Sequence, residues 1–498
     1  MSTSRSLCSM RGYFSECFKI SPEALRQYGA FDISLITDLP LFIDPFLLFN
    51  SKKTKYQALH QEIIKYLTFL REKSDSGHLD PGLIKAWFRF PEVKQTWLGF
   101  TTSGNKGSGL GDHFASALHE SLHKLFGNFG REGITKSSHL EKLCLIKERV
   151  GRDNISDFTT NLIKGFICEY TQGFAVKNID PSLRKMVTVA KVRFNYATES
   201  WEPAQFDLPW MDSDYVLLTP ADVLTKDDTW INKTDLVEGF DRLPESIPNE
   251  QLRAQISNYS KKVLPKHLDK EPTKKEERAA AVETILHFPE LIDIYIRYKE
   301  EAGDQATSES SEKVEFSRQL YVEQFNRLRR LLSLHSDFYK IGGQTYAEAH
   351  QRVAFLKDMI ENKGGHRIFY VKGRPIDREE DLHVMYRLTW YGSPSDVTRE
   401  ANDGRGPVDF KISRGAKDKT LVEFKLAKNS QLKRNLEKQT DIYEKASDAK
   451  RSIKVIVYFS ENEYAKVMRI LKELDLTKSP DVVLINARSD DKPSGSKA

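Results

Sequence analysis

Apolar residues recur at three- and four-residue steps through Tyr56–Glu72 (YQALHQEIIKYLTFLRE), the pattern of an amphipathic helix. Asp157–Tyr170 (DFTTNLIKGFICEY) repeats it, with Ser156 or Asp157 as its cap. Met186–Phe194 and Tyr215–Leu218 read as strands. Residues 1–265 are therefore expected to form a mixed α/β unit. Pro265–Glu277 (PKHLDKEPTKKEE) and Glu300–Glu312 (EEAGDQATSESSE) are polar and charged, and read as linkers or exposed loops. Between and after them, Arg278–Lys299 and Phe316–His335 are helix-forming, so 266–340 reads as a helical connector. A further unit spans 341–488. It opens with a helix over Tyr346–Asn362, stopped at Lys363-Gly364-Gly365. Residues 489–498 read as a disordered tail.

Within that last unit the pattern predicts a helix over Asp377–Trp390, then strands over Val408–Ser413 and Thr420–Leu426, joined by a turn at Gly415–Lys419. A helix follows in which Leu432, Leu436, Gln439, Tyr443 and Ala446 share one face. Ile453–Phe459 (IKVIVYF) suits a buried strand, and helix Glu461–Leu474 and strand Val482–Ile485 complete an α/β core.

Composition narrows the class. Of 498 residues, 39% are hydrophobic, enough to fill cores and to exclude wholesale disorder. No apolar run reaches the ~18 residues of a membrane helix; the best, Leu39–Phe49, is interrupted by Asp44 and two prolines. The opening MSTSRSLCSMRG lacks a secretory core, and the four cysteines show no CxxC spacing. A cytoplasmic protein without a membrane partner is expected. Its net charge is +5, yet Gly404–Lys454 alone holds 14 Lys/Arg against 7 Asp/Glu, the footprint of a polyanionic partner.

That basic segment carries the candidate chemistry. Glu423 and Lys425 lie two apart on one strand and leave the same face. Asp409 falls beside Glu423 if the two strands form a hairpin. Two carboxylates and an amine at one point suit a divalent ion, Mg²⁺ or Mn²⁺, held by Asp409 and Glu423. Lys425 can then orient or help deprotonate a water for phosphodiester hydrolysis.

These residues resemble the signature of the PD-(D/E)xK nuclease superfamily: Pro407 and Asp409, thirteen intervening residues, then Glu423-Phe424-Lys425. Val408, one extra residue between proline and aspartate, is the departure. Gln439 and Tyr443 match the QxxxY element of the RecB-like branch. The resemblance covers about Ile376–Ile485 and implies a restriction-endonuclease-like mixed sheet flanked by helices. It implies a further metal-binding acid on the preceding helix, Glu379 first and Glu380 second, with Glu400 as another possibility. Gln439 and Tyr443 would support the site, and Lys428, Lys433, Arg434 and Lys438 would contact phosphates. The function implied is a Mg²⁺-dependent nuclease acting on nucleic acid, DNA before RNA, in restriction, repair or antiviral defence. A partner protein or a second copy of the chain would fit such a role. The competing class is a binding or scaffold protein on the same fold with a defective site.

The resemblance does not extend to the N-terminal half. His119-Glu120-Ser121-Leu122-His123 matches the HExxH zinc-peptidase pattern, but Lys124 follows it and Phe126 stands where the extended motif has glycine, so an ordinary amphipathic helix is preferred. Thr101–Gly111 (TTSGNKGSGLG) lacks the GK[ST] ending of a phosphate-binding loop and reads as a turn or loop. Asp32, Asp38 and Asp44 are regularly spaced without a chemistry that requires it, and read as polar punctuation of a packed segment.

Overall fold

The computed structural model describes the chain except residues 1–11, 76–79, 100–109, 112–113, 117, 120–121, 123–128, 130–132, 147–149, 266–270, 336, 342, 391–395, 403–406, 415–417, 438–450 and 493–498. For 396–402 and 407–408 it describes the backbone alone. Helix α1 (Thr54–Asp75) buries Tyr56, His60, Ile63, Leu67, Leu70 and Ser74, one face at alternating four- and three-residue steps. The helix expected over Asp157–Tyr170 is two: α2 (Arg152–Leu162) and α3 (Lys164–Asn178) break at Ile163, whose ψ of 14° leaves the helical path. The break sets Gly165 against strand β1 (Arg184–Asn195), where a Cβ would come within 3.1 Å of the Val192 carbonyl oxygen. Glycine is needed there for close approach.

Strand β1 pairs antiparallel with β2 (Ser200–Met211), with an irregularity between Val189 and Arg193. Of the strand expected over Tyr215–Leu218, only Tyr215 joins the ladder, through Asp214–Tyr215. The next two N–H groups go instead to the carbonyls of Pro209 and Gln95. The apolar run Leu39–Phe49 resolves into a short strand, Leu41–Ile43, and a short helix, Pro45–Phe49, capped by the Asp44 carboxylate. Asp32, Asp38 and Asp44 are all buried; Asp32 accepts from Ser15, and Asp44 from the amides of Phe46 and Trp230. Among the described residues no helix is long and apolar enough to cross a membrane.

The middle of the chain is helical: α4 (Glu250–Val263), α5 (Lys274–His287), α6 (Glu290–Glu301), α7 (Gly303–Ser317), a π-helical turn over Arg318–Gln324, and α8 (Phe325–His335). The break between α5 and α6 falls at Phe288-Pro289, where proline has no N–H to give. The serine-rich stretch Glu300–Glu312, expected as a linker or exposed loop, is corrected by the structure: most of it lies in α7. Its small residues are the reason. Gly303, Ala306, Ser310, Val314 and Ser317 form the buried face, and Gly303 sits so near Asn50 that a Cβ would collide with its side chain. Composition typical of a loop here serves close helix packing.

Helix α9 (Thr345–Asn362) ends before Gly364, whose φ of 75° is the left-handed stop that its sequence predicts. Then come α10 (Glu379–Thr389), β3 (Asp396–Asn402), β4 (Pro407–Arg414), β5 (Asp418–Leu426), β6 (Arg451–Tyr458), α11 (Glu461–Glu473) and β7 (Val482–Asn486). The five strands form one mixed sheet in the order β7-β6-β5-β4-β3. Strands β3, β4 and β5 are antiparallel, whereas β6 runs parallel to both β5 and β7. This is the α/β architecture expected for the C-terminal unit. Val422, Phe424 and Leu426 of β5 join a continuous apolar core that reaches from Tyr13 to Ala487. On the opposite face Ile456 packs with Leu432, Leu436, Val467 and Leu471 in a second cluster. Covered on both faces, β5 is buried from Thr420 to Leu426.

Candidate active site

Alternation along β5 fixes the site. Phe424 faces the main core, so Glu423 and Lys425 leave the other face together. The antiparallel register pairs Val422 with Phe410, which brings the neighbouring Asp409 of β4 alongside. The Lys425 Nζ lies 3.1 Å from Asp409 Oδ2, and the Phe424 N–H donates to that same oxygen at 2.7 Å. Helix α10 supplies Glu379 from its first turn. Its Oε2 is 3.7 Å from Lys425 Nζ, while Oε1 accepts from the Leu426 N–H at 3.2 Å and the Asn429 side-chain amide at 2.8 Å. Of the two candidate helix acids it is thus Glu379, not Glu380, that reaches the strand. Asp409, Glu423 and Lys425 are all nearly inaccessible.

One residue of this constellation escaped the sequence reading. His383, one helical turn beyond Glu379, places Nε2 3.2 Å from Asp409 Oδ2. Its ring also packs edge-on against Phe410. The signal was present, since residues four apart on a helix share a face.

Crowding of these charges separates the two strand carboxyls. Burial alone would raise the Asp409 pKa, but His383, Lys425 and the Phe424 amide outweigh it and hold this carboxyl well below the usual carboxylate range. Glu423 moves the other way: burial, then the adjacent Asp409 charge, push it up to about 7. Among the described residues nothing donates a hydrogen bond to the Glu423 carboxylate, and only the charges of Lys425 and Lys454 favour its ionised form. Burial opposes the charge on Lys425, yet Asp409, Glu423 and Glu379 overcome this and raise its pKa.

The oxygen donors suit a hard divalent ion, and a buried, undonated carboxylate beside a second one is the kind of group such an ion relieves. Among the described residues, however, no three His, Cys, Asp or Glu side chains converge as a ready-made metal cage. The Lys425 ammonium instead lies on Asp409, supplying the positive charge between the acids.

The other expected contributors are dispersed. Lys428 and Arg434 are exposed, while Lys433 is engaged by Glu473 of α11 at 2.9 Å. Gln439, Tyr443 and Lys438 lie outside the described residues, as does the side chain of Glu400. In the N-terminal half, the half-buried His119 places Nδ1 2.9 Å from the Ser74 hydroxyl and packs its ring against Phe88. Glu120, His123 and most of Thr101–Gly111 lie outside the described residues.

Two family models match the chain. One, a domain of unknown function designated DUF8370, covers residues 19–232, and the other, a domain of unknown function designated DUF8371, covers residues 345–461. Glu379, His383, Asp409, Glu423 and Lys425 all fall within the second. No curated protein and no solved structure matches the chain.

Proposed function

We propose that the C-terminal unit is a metal-dependent nuclease that hydrolyses phosphodiester bonds, with DNA as its principal substrate. The observation that carries this reading is the Lys425 ammonium lying between Asp409 of β4 and Glu379 of α10, with the buried Glu423 in the same electrostatic cluster on β5. Asp409 and Glu423 would hold Mg²⁺ or Mn²⁺, with Glu379 completing the acid set. When bound, such an ion supplies stabilisation for the charge that builds on the phosphate. Lys425, kept protonated by its acidic neighbours, neutralises that crowd and offers N–H groups to orient an attacking water or a phosphate oxygen. His383 and the Phe424 N–H hold Asp409 in the ionised form that ligation requires. Lys428 and Arg434, exposed and without an ion pair among the described residues, would meet the nucleic-acid backbone, and Gln439 and Tyr443 would support the site from the helix after β5. Cytoplasmic action on foreign or damaged DNA follows, with the N-terminal half as a sensing, specificity or assembly module for a partner protein or a second copy.

A second reading has one observation in its favour. Lys425 already satisfies Asp409, so a domain that only binds nucleic acid would be stable without any metal. A panel of plasmid, linear duplex, single-stranded DNA and RNA, incubated with Mg²⁺ or Mn²⁺, separates the two. Cleavage by the wild type that Lys425→Ala abolishes, with binding retained, supports the nuclease. Binding without cleavage of any substrate by either protein would establish the second reading.

A further inference from the structure

A cavity of about 460 Å³ shares no lining residue with this site and is walled by segments far apart in the sequence: the start of α2, the loop after strand Leu224–Lys226, the middle of α7, and Arg378 just before α10. Its volume is that of a pocket for a small organic ligand. The wall is dominated by charge, and some of that charge is matched internally. Arg378 Nε pairs with Asp227 at 3.1 Å, and Asp235 takes the Lys299 ammonium at 2.5 Å.

Four charges are left over: Arg152 and Lys313 on one side of the account, Asp228 and Glu309 on the other. All four are half-buried, and among the described residues none is in an ion pair. Arg152 only lies over the Phe42 ring at 4.9 Å. The Asp228 carboxylate accepts a single hydrogen bond, from the Thr229 N–H, and the Glu309 carboxylate one from the Gln305 side-chain amide. Half-buried charges of both signs, held apart in one cavity, are complementary to a ligand bearing an anion and several hydrogen-bond donors. Arg152 also opens an eleven-residue helix, whose first-turn N–H groups favour an anion at that end. The half-buried Trp230 lines the same cavity, with the Lys299 ammonium 4.1 Å over one face of its ring, which leaves the other face to a flat group.

A nucleoside monophosphate combines an anion, hydrogen-bond donors and a flat ring within this volume. We propose that this cavity binds a mononucleotide, with the phosphate on Arg152 and Lys313, the hydroxyl or amine donors on Asp228 and Glu309, and the base along Trp230. The inference is independent of the nuclease reading.

Calorimetric titration of the full chain with AMP, GMP, CMP and UMP, and with adenosine and inorganic phosphate as controls, tests it. At least one monophosphate is expected to bind, with adenosine and phosphate at least about tenfold weaker. Arg152→Glu and Lys313→Ala should each weaken that binding about tenfold or more at an unchanged melting temperature, while Lys425→Ala binds as the wild type does. Lys313→Ala removes a half-exposed side chain, so it keeps the test valid if Arg152→Glu fails to fold. No binding by any of the four nucleotides at millimolar concentration would overturn the proposal. So would phosphate binding as tightly as the nucleotides, or binding that Lys425→Ala removes and Lys313→Ala spares, which would place the nucleotide in the candidate active site.

Discussion

The Lys226 ammonium lies 2.9 Å from Asp381 Oδ1, and both side chains are buried. Lys226 ends the short strand paired with Leu41–Ile43, whereas Asp381 lies in the first turn of α10, two residues after Glu379. The Tyr321 hydroxyl donates to the same carboxylate at 2.6 Å, and Lys226 sits over the Phe316 and Tyr321 rings. One ion pair thus ties the N-terminal half to the helix that carries two residues of the candidate site. Breaking it from one side leaves a charge in the core. Lys226→Met is expected to cost about 3–5 kcal/mol, and the double variant Lys226→Met, Asp381→Leu to recover most of that. Denaturant unfolding measures both. A single variant as stable as the wild type would remove the pair from any structural role.

His383 makes a sharper test of the site than Lys425, because it acts through another residue. Its removal leaves the carboxylates and the ammonium in place but takes away a positive or donor group from Asp409. His383→Ala is expected to lower plasmid cleavage about 10–100-fold and to raise the Mg²⁺ concentration needed for half-maximal rate. His383→Asn, which keeps a side-chain donor, should restore part of the loss. An unchanged metal requirement in His383→Ala would reduce this residue to core packing.

The C-terminal sheet was legible because its strands are short, bounded by turns and apolar where they are central. Alternation alone placed Glu423 and Lys425 on one face. It could not place Glu379, since the approach of α10 depends on Tyr386 packing against Phe410 and Phe424, contacts remote in sequence. His383 shares a helix face with Glu379 at the four-residue spacing, but only those same packing contacts set that face against Asp409. The middle of the chain was hardest to read, because Gly303, Ala306 and Ser310 look like loop residues until their partner surface is known. Local composition reports solvent preference, and a helix packed through small residues violates that rule without any local sign.

Acid should unfold the N-terminal half through His60. This imidazole is packed against Phe49 and His139, and burial with the adjacent His139 pushes its pKa down to about 3. An unfolded histidine titrates near 6.5. Between those values the native state binds fewer protons than the unfolded chain, so stability is lost as pH falls from about 6.5 towards 3, in total about 5 kcal/mol. Asp32 and Asp44, each raised to about 6, work in the opposite direction over part of that range. The comparison of wild type with His60→Leu isolates the histidine. Melting temperatures of the two should diverge on acidification from pH 7 to 4.5, with the variant falling less; parallel curves would refute the assignment.

Glu423 gives the most direct reading of whether the site is built for a cation. Its native pKa of about 7 stands above the ordinary glutamate value. The native state therefore holds a proton that the unfolded chain has released between roughly pH 4.5 and 7, and stability declines as pH rises through that window. Above pH 8 the carboxylate is ionised, buried and beside Asp409, a cost of about 3 kcal/mol. Glu423→Gln removes that charge. In chelator at pH 8.5 the variant is expected to melt higher than the wild type, and the gap should close by pH 5, where the native carboxyl is already neutral. Adding Mg²⁺ at pH 8.5 should then raise the melting temperature of the wild type and leave Glu423→Gln nearly unmoved. A magnesium response equal in both proteins would mean that the ion binds elsewhere, and Glu423 would be no more than a strained acid at the end of a strand.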